Sequence, residues 1–495
     1  MEKKEYIAKV EANMQEEIEF LQKVIRINSE EAPKAIGPDG EEYPFGQGVY
    51  ESLKLVLDAG EEMDFVPKNV DNYGGHLDWL ADYDSESGAE PPKTMGILGH
   101  LDVVPAGGGW SFDAYSGTVS DGYIYGRGTT DDKGPVVAAL FAMKALKDAG
   151  YKPSANVRLI LGCDEETNWI GMEKYLASEG APDYGFTPDG DFPVINGEKG
   201  IANFDIVRKL NGRQVKGLTL RALEGGSAKN MVPEKARALL NSTEKGAYDK
   251  IKEKLEVFKT THPVINGIEP VITGKLVGKS YEVAVIGKSA HGAHPELGLN
   301  AVSVLMEFLG TLNFADEEIN DTIDFYNKHI GYDLNGERIG CQLEDEKSGK
   351  LTFNVGILAF DKKSITYSVN VRYPVTKDDE DFYPNLAEIT GKYDLGIVKS
   401  RSQEPIYFDV DSPMIKTFME IYRENTGDME NGPITIGGGT YARSMNNCVA
   451  FGALFPGDPD LMHQKDERLS LERLETMTKI YADAIFKLTQ PGFEI

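Results

Sequence analysis

Two apolar runs, TMGILGHLDVVP at residues 94–105 and NVRLILGC at 156–163, flank the segment PVVAALFAMKALKDA at 135–149. Each run has the length of a strand and is apolar at nearly consecutive positions, which suits a strand covered on both faces. Pro135 in the first turn and Gly150 at the end predict a helix between them. Strand, helix, strand with apolar interiors is the pattern of a parallel sheet. The expected class is therefore α/β, a parallel sheet with helices on both faces.

Other segments follow from periodicity. Ile7, Val10, Met14, Ile18, Leu21 and Ile25 recur near helical spacing and predict an amphipathic helix over the first 27 residues. Further helices are expected near 50–59, 413–426 and 469–488, and a strand over VAFGALF at 449–455. Between about 200 and 402 the texture changes. NFDIVRKL, GLTLRAL, YEVAVIG and ITYSVNVRY alternate with period two, as antiparallel strands with one wet face do, and helices are expected near 300–312 and 316–328. An α+β domain with an antiparallel sheet, residues 200–402, thus reads as inserted into an α/β domain formed by residues 1–199 and 403–495. The acidic stretch DYDSESGAEPPK at 82–93 reads as a surface loop.

Composition narrows the function. With 52 basic and 80 acidic side chains among 495 residues the net charge is −28, which disfavours nucleic acid as a partner. The N-terminal stretch is charged throughout and no segment approaches the roughly 20 apolar residues of a spanning helix, so a soluble cytoplasmic protein without a membrane partner is expected. Cys163, Cys341 and Cys448 are few and far apart, so no disulfide framework is expected.

Chemistry concentrates at the ends of the apolar strands, where open parallel sheets bind ligands. His100 closes the first strand and Asp102 follows; alone, the pair is as much a buried polar contact as a metal ligand with its carboxylate partner. Asp131 and Asp132 precede the helix, where two acids also complement the helix dipole. Asp164, Glu165 and Glu166 follow the second strand, and three adjacent acids there repel one another unless cations neutralise them. Asp189 lies in an Asp-Gly turn and His463 in a late loop. Together they suit a two-metal centre, which needs a bridging carboxylate and mixed imidazole and carboxylate ligands. Zinc is favoured, with manganese or cobalt compatible. Of Glu165 and Glu166, one can bind metal while the other acts as general base. The run GGGTYA at 437–442 fits a dinucleotide fingerprint, but only 58 residues follow Gly437, too few for the further βαβ units that fold requires.

HLDVVPAGGGW, GRGTTDDKGP, CDEETNW, FTPDGDFPVINGEKG, GKSAHGAHPELGLNA, GGGTYAR and MHQKDE occur in this order. The set resembles the motifs of the di-zinc metallopeptidases related to aminoacylase and carboxypeptidase G, and most closely the bacterial PepV-type (Xaa-His) dipeptidases. The resemblance runs from about residue 75 to 470. It implies that His100 and Asp189 hold one metal, Glu166 and His463 the other, and that Asp131, rather than its neighbour Asp132, bridges them, with a cis peptide after the bridging residue. Asp102 would orient His100, and Glu165 would pass a proton from water to the leaving amine. The inserted domain would be a lid. There His291 would stabilise the oxyanion, Asn230 would contact substrate, and Arg372 with Gly437, Gly438 and Gly439 would hold the substrate carboxylate. The activity implied is hydrolysis of a dipeptide amide by a monomer holding two divalent metal ions. An N-acyl amino acid deacylase or tripeptidase is the alternative within the family; a metal-dependent peptide-binding protein without turnover is the alternative outside it.

Overall fold

The computed structural model describes residues 1–38, 40–83, 90–212, 216–400, 402–445 and 447–493. Residues 84–89 of the acidic stretch lie outside the described residues. The chain divides into two compact units, one of Met1–Asn196, Phe408–Ile434 and Gly439–Ile495, the other of Gly197–Tyr407 and Thr435–Gly438.

The first unit is built on a sheet whose strands run, in spatial order, Cys448–Ala450, Tyr184–Thr187, Thr94–His100, Asn156–Gly162, Gly74–Trp79 and Val66–Asn69. The first four pair in parallel. Gly74–Trp79 and Val66–Asn69 add an antiparallel edge, so the sheet is mixed. That edge escaped a reading of apolar runs because GGHLDW mixes glycines and polar residues with few apolar ones. The strand at 448 is shorter than its apolar run: regular pairing stops at Ala450, and Leu454 returns only as an isolated bridge to Asp191.

The helix Lys133–Asp148 is buried along most of its length, because it packs on the sheet while the helices Lys3–Ile25 and Leu471–Leu488 pack on it. Leu140, Phe141 and Leu146 are almost wholly removed from water, each worth about 1.5–3 kcal/mol. In Lys3–Ile25 the buried stripe runs through Tyr6, Val10, Glu17, Phe20, Leu21 and Val24. Ile7, Met14 and Ile18 lie at its margin. Among the described residues no helix is long and apolar enough to cross a membrane.

The second unit is an antiparallel sheet of eight strands in the order Val271–Val277, Ser280–Ile286, Lys235–Ser242, Leu218–Gly225, Thr352–Asp361, Ser364–Tyr373, Gly200–Lys209 and Leu395–Lys399. Helices Ala247–Thr261, Ala301–Gly310, Glu317–His329 and Tyr383–Gly391 supply further apolar side chains to its core. The α/β class with a separate antiparallel α+β unit is therefore what the sequence patterns predicted.

Candidate metal centre

His100 is the last residue of Thr94–His100 and its side chain has no exposure. Its Nδ1 lies 3.0 Å from the backbone oxygen of Asp102, which accepts the Nδ1 proton and turns Nε2 toward the other candidate ligands. Nε2 points at Asp131 Oδ1, 2.9 Å away, with Asp189 Oδ2 at 4.0 Å. The Asp102 carboxylate reaches in two directions: Oδ1 stands 3.5 Å from His100 Nδ1, and Oδ2 accepts from the backbone N–H of Glu166 at 3.0 Å. It thus ties the ends of two neighbouring strands together.

Asp131 presents one oxygen to each histidine. Oδ1 faces His100, and Oδ2 lies 2.9 Å from His463 Nε2, which is also 3.0 Å from Glu166 Oε1. The Asp131-Asp132 peptide is cis. Asp132 is fully buried and turned elsewhere, its Oδ2 accepting from the N–H of His100. Ligand atoms of His100, Asp131 and Glu166 lie within 4.8 Å of one another, as do those of His100, Glu165 and Asp189. Asp189 comes just after Tyr184–Thr187, its N–H directed at Thr187 Oγ1. All seven predicted residues of the centre, including His463 from the far end of the chain, belong to the first unit.

The electrostatics are those of crowded acids. Burial, then the charge of Asp131, pushes Asp189 up to about 7. Burial and the charge of Asp189 push Glu165 well above the usual carboxylate range. Burial would raise Asp131 too, but its two imidazole partners hold it below that range. Hydrogen bonds to Asp131 and Glu166 lift His463 to about 10. Two imidazoles and several carboxylates converging at this spacing form a donor set that fits divalent cations of the zinc type, which would neutralise the repulsion.

Asp164, the first of the three adjacent acids, is structural: its carboxylate accepts from the N–H of Gly171 at 3.0 and 3.1 Å, holding the start of Ile170–Glu179. The sequence reading gave no role to Trp169, whose Nε1 donates to the backbone oxygen of Glu165 at 2.7 Å and whose ring meets Tyr441 edge-on at 5.1 Å. Glu467 was also passed over. It ends the MHQKDE motif, and an acid four residues beyond a candidate ligand was the available signal.

The second unit carries His291, Asn230, Arg372, Gly437 and Gly438; Gly439 groups with the first. Asn230 and His291 are neighbours through the backbone: Met231 bridges to His291, and the N–H of Gly292 donates to Asn230 oxygen at 2.6 Å. Desolvation, then the charge of Arg372, holds the His291 imidazole below its ordinary value, which favours the neutral ring. His294 itself pairs with Glu296 in an exposed loop. Arg372 is buried in Ser364–Tyr373; its Nε donates to Asn370 Oδ1 at 2.9 Å and one Nη to the Gly437 carbonyl at 3.1 Å. The glycine run therefore meets Arg372 through a carbonyl oxygen.

Residues 96–487 match the model of peptidase family M20/M25/M40. A Bacillus subtilis (strain 168) protein named "Putative dipeptidase YtjP" is 37% identical over 474 residues, covering 95% of this chain and 96% of the relative. "Putative dipeptidase SH1171" of Staphylococcus haemolyticus is 34% identical over 455 residues, 91% and 93% of the two chains. Among solved structures, human carnosine dipeptidase 1 has a TM-score of 0.55 at 16% identity, covering 99% of both chains. Aminoacylhistidine dipeptidase from Vibrio alginolyticus has 0.55 at 14% identity, covering 94% of this chain and 95% of that one. These two likenesses concern the fold.

Proposed function

The chain belongs to peptidase family M20/M25/M40, and from that membership we propose that it is a metal-dependent dipeptidase of the cytoplasm. The observation that carries the reading is the Asp131 carboxylate with one oxygen on each histidine Nε2, a bridging disposition. His100 and Asp189 would hold one divalent ion, Glu166 and His463 the other, with zinc the first choice and manganese or cobalt compatible. Bound there, the pair of ions would polarise the scissile carbonyl and acidify water.

The protein's own groups would do the rest. Glu165, beside the ligand Glu166, takes a proton from the attacking water and returns it to the leaving amine. Asp102 keeps His100 oriented through its backbone oxygen. The second unit would be a lid: neutral His291 donates to the developing oxyanion, Asn230 adds a polar contact, and Arg372, aimed by Asn370, grips the free carboxylate together with the 437–439 backbone. Recognition of that carboxylate supports a small peptide substrate cleaved as an exopeptidase would, by a monomer.

The test is amide hydrolysis by chelator-stripped protein reloaded with zinc or manganese, on dipeptides including β-Ala-His, tripeptides and N-acetyl amino acids. Metal-dependent cleavage confined to dipeptides supports the reading. Cleavage only of tripeptides or of N-acetyl amino acids would transfer the same centre to a tripeptidase or a deacylase. Two metals bound with no turnover would leave a binding protein.

A further inference from the structure

Glu467 is fully buried, and its carboxylate is saturated by one short segment of chain. Oε1 accepts from the backbone N–H groups of Gly128 at 3.1 Å, Thr130 at 2.9 Å and Asp131 at 3.3 Å, while Oε2 pairs with the Arg127 guanidinium. The backbone of Glu467 joins the same segment, its carbonyl accepting from the N–H of Gly126 at 3.0 Å. From here the chain enters Arg468–Ser470, which pairs with Tyr123–Tyr125. Next door, Asp466 accepts from the N–H of Ser111 at 2.6 Å. His463 lies four residues upstream, and Asp131 ends the segment that Glu467 gathers.

We propose that Glu467 is a positioning residue: it holds the loop of Asp131 and the loop of His463 in register so that Asp131 Oδ2 and His463 Nε2 meet at one cation. This rests on the metal-centre reading above and adds to it a residue that touches neither ion nor substrate. A buried carboxylate accepting three backbone N–H bonds and a guanidinium fixes backbone direction far better than a turn alone, since each charge-assisted bond is stronger than a neutral one. Outer partners of this kind set ligand geometry, and their loss lowers metal affinity about 10- to 100-fold. Glutamine is a poor substitute. Whichever way its amide is turned, an NH2 group faces either the backbone N–H cluster or the arginine.

The experiment is calorimetric titration of chelator-stripped full-length protein with zinc, for wild type, Glu467→Ala and Glu467→Gln, with near-ultraviolet circular dichroism to establish that each is folded. The expected result is two zinc equivalents in wild type, with the weaker one loosened about 10- to 100-fold in E467A and several-fold in E467Q. Dipeptide hydrolysis by E467A should then recover toward the wild-type kcat as free zinc is raised, which a general packing defect would not produce. Wild-type zinc affinity in folded E467A overturns the proposal; if E467A does not fold, wild-type affinity in E467Q does so. Wild-type protein that binds no zinc, manganese or cobalt would instead overturn the metal-centre reading, and this inference with it.

Discussion

The Asp132 carboxylate accepts a hydrogen bond from the backbone N–H of His100 at 3.1 Å, while its neighbour Asp131 directs an oxygen at the same histidine's ring. Two identical side chains, adjacent in sequence, thus serve the same residue at different points, one at its backbone and one at its ring. Burial keeps the Asp132 carboxyl protonated well above the usual range, whereas Asp131 is ionised. Asp132→Asn should therefore retain two zinc ions and most activity, and Asp131→Asn should lose at least one ion. Metal content by atomic emission after dialysis decides it; equal losses in both variants would remove the distinction.

Glu165→Gln preserves shape and removes the proton acceptor. The expected outcome is a fall in kcat of about 10²- to 10⁴-fold with two metals still bound. Retention of more than a tenth of wild-type kcat would exclude Glu165 as the general base.

Zinc binding should expel protons. Without metal, His463 holds its proton up to about 10 and Asp189 up to about 7, yet a cation needs the free lone pair of each. Deprotonation is therefore part of binding, and affinity should rise with pH between roughly 6 and 9, by at most tenfold per unit for each proton released. Titration heats at pH 7 should vary with the ionisation enthalpy of the buffer. Heats that do not vary, with a flat affinity profile, would contradict this.

Glu17 bears on stability rather than activity. It is fully buried in Lys3–Ile25, its Oε1 accepting from Thr478 at 2.6 Å, and burial raises its pKa well above 4.5. Above pH 4.5 the unfolded chain releases this proton while the folded chain retains it, so folding loses stability as pH rises toward the folded value. Glu17→Gln does not titrate. Its melting temperature should match wild type near pH 4.5 and exceed it increasingly as the pH is raised to 8. A constant offset across that range would show that the charge is not what matters.

How much of this was legible beforehand differs by residue. His100 and the acids at 164–166 could be found because apolar runs mark buried strands, and polar residues at their ends stand out. The order of motifs then supplied the family. The choice between Asp131 and Asp132 was not in the residue types, since only backbone direction separates them. Arg372 could equally have been a surface charge on an alternating strand; its burial depends on Asn370 and Gly437, partners that meet only in the fold. Glu17 was missed because a charged residue on an amphipathic helix is ordinarily solvated. The edge strand Gly74–Trp79 and the early end of Cys448–Ala450 depended on pairing partners, which periodicity does not encode.

The first unit draws its parts from both ends of the chain, with Gly197–Tyr407 between them. On the ribosome this imposes a waiting time. From Asn196 to His463 a further 267 residues must be made (463 − 196), roughly 13–53 s of synthesis at 5–20 residues per second. Throughout that interval there is no His463 to close the centre, and for most of it Tyr184–Thr187 has no Cys448–Ala450 beside it. A nascent chain that has not yet reached His463 is therefore unable to assemble the full ligand set.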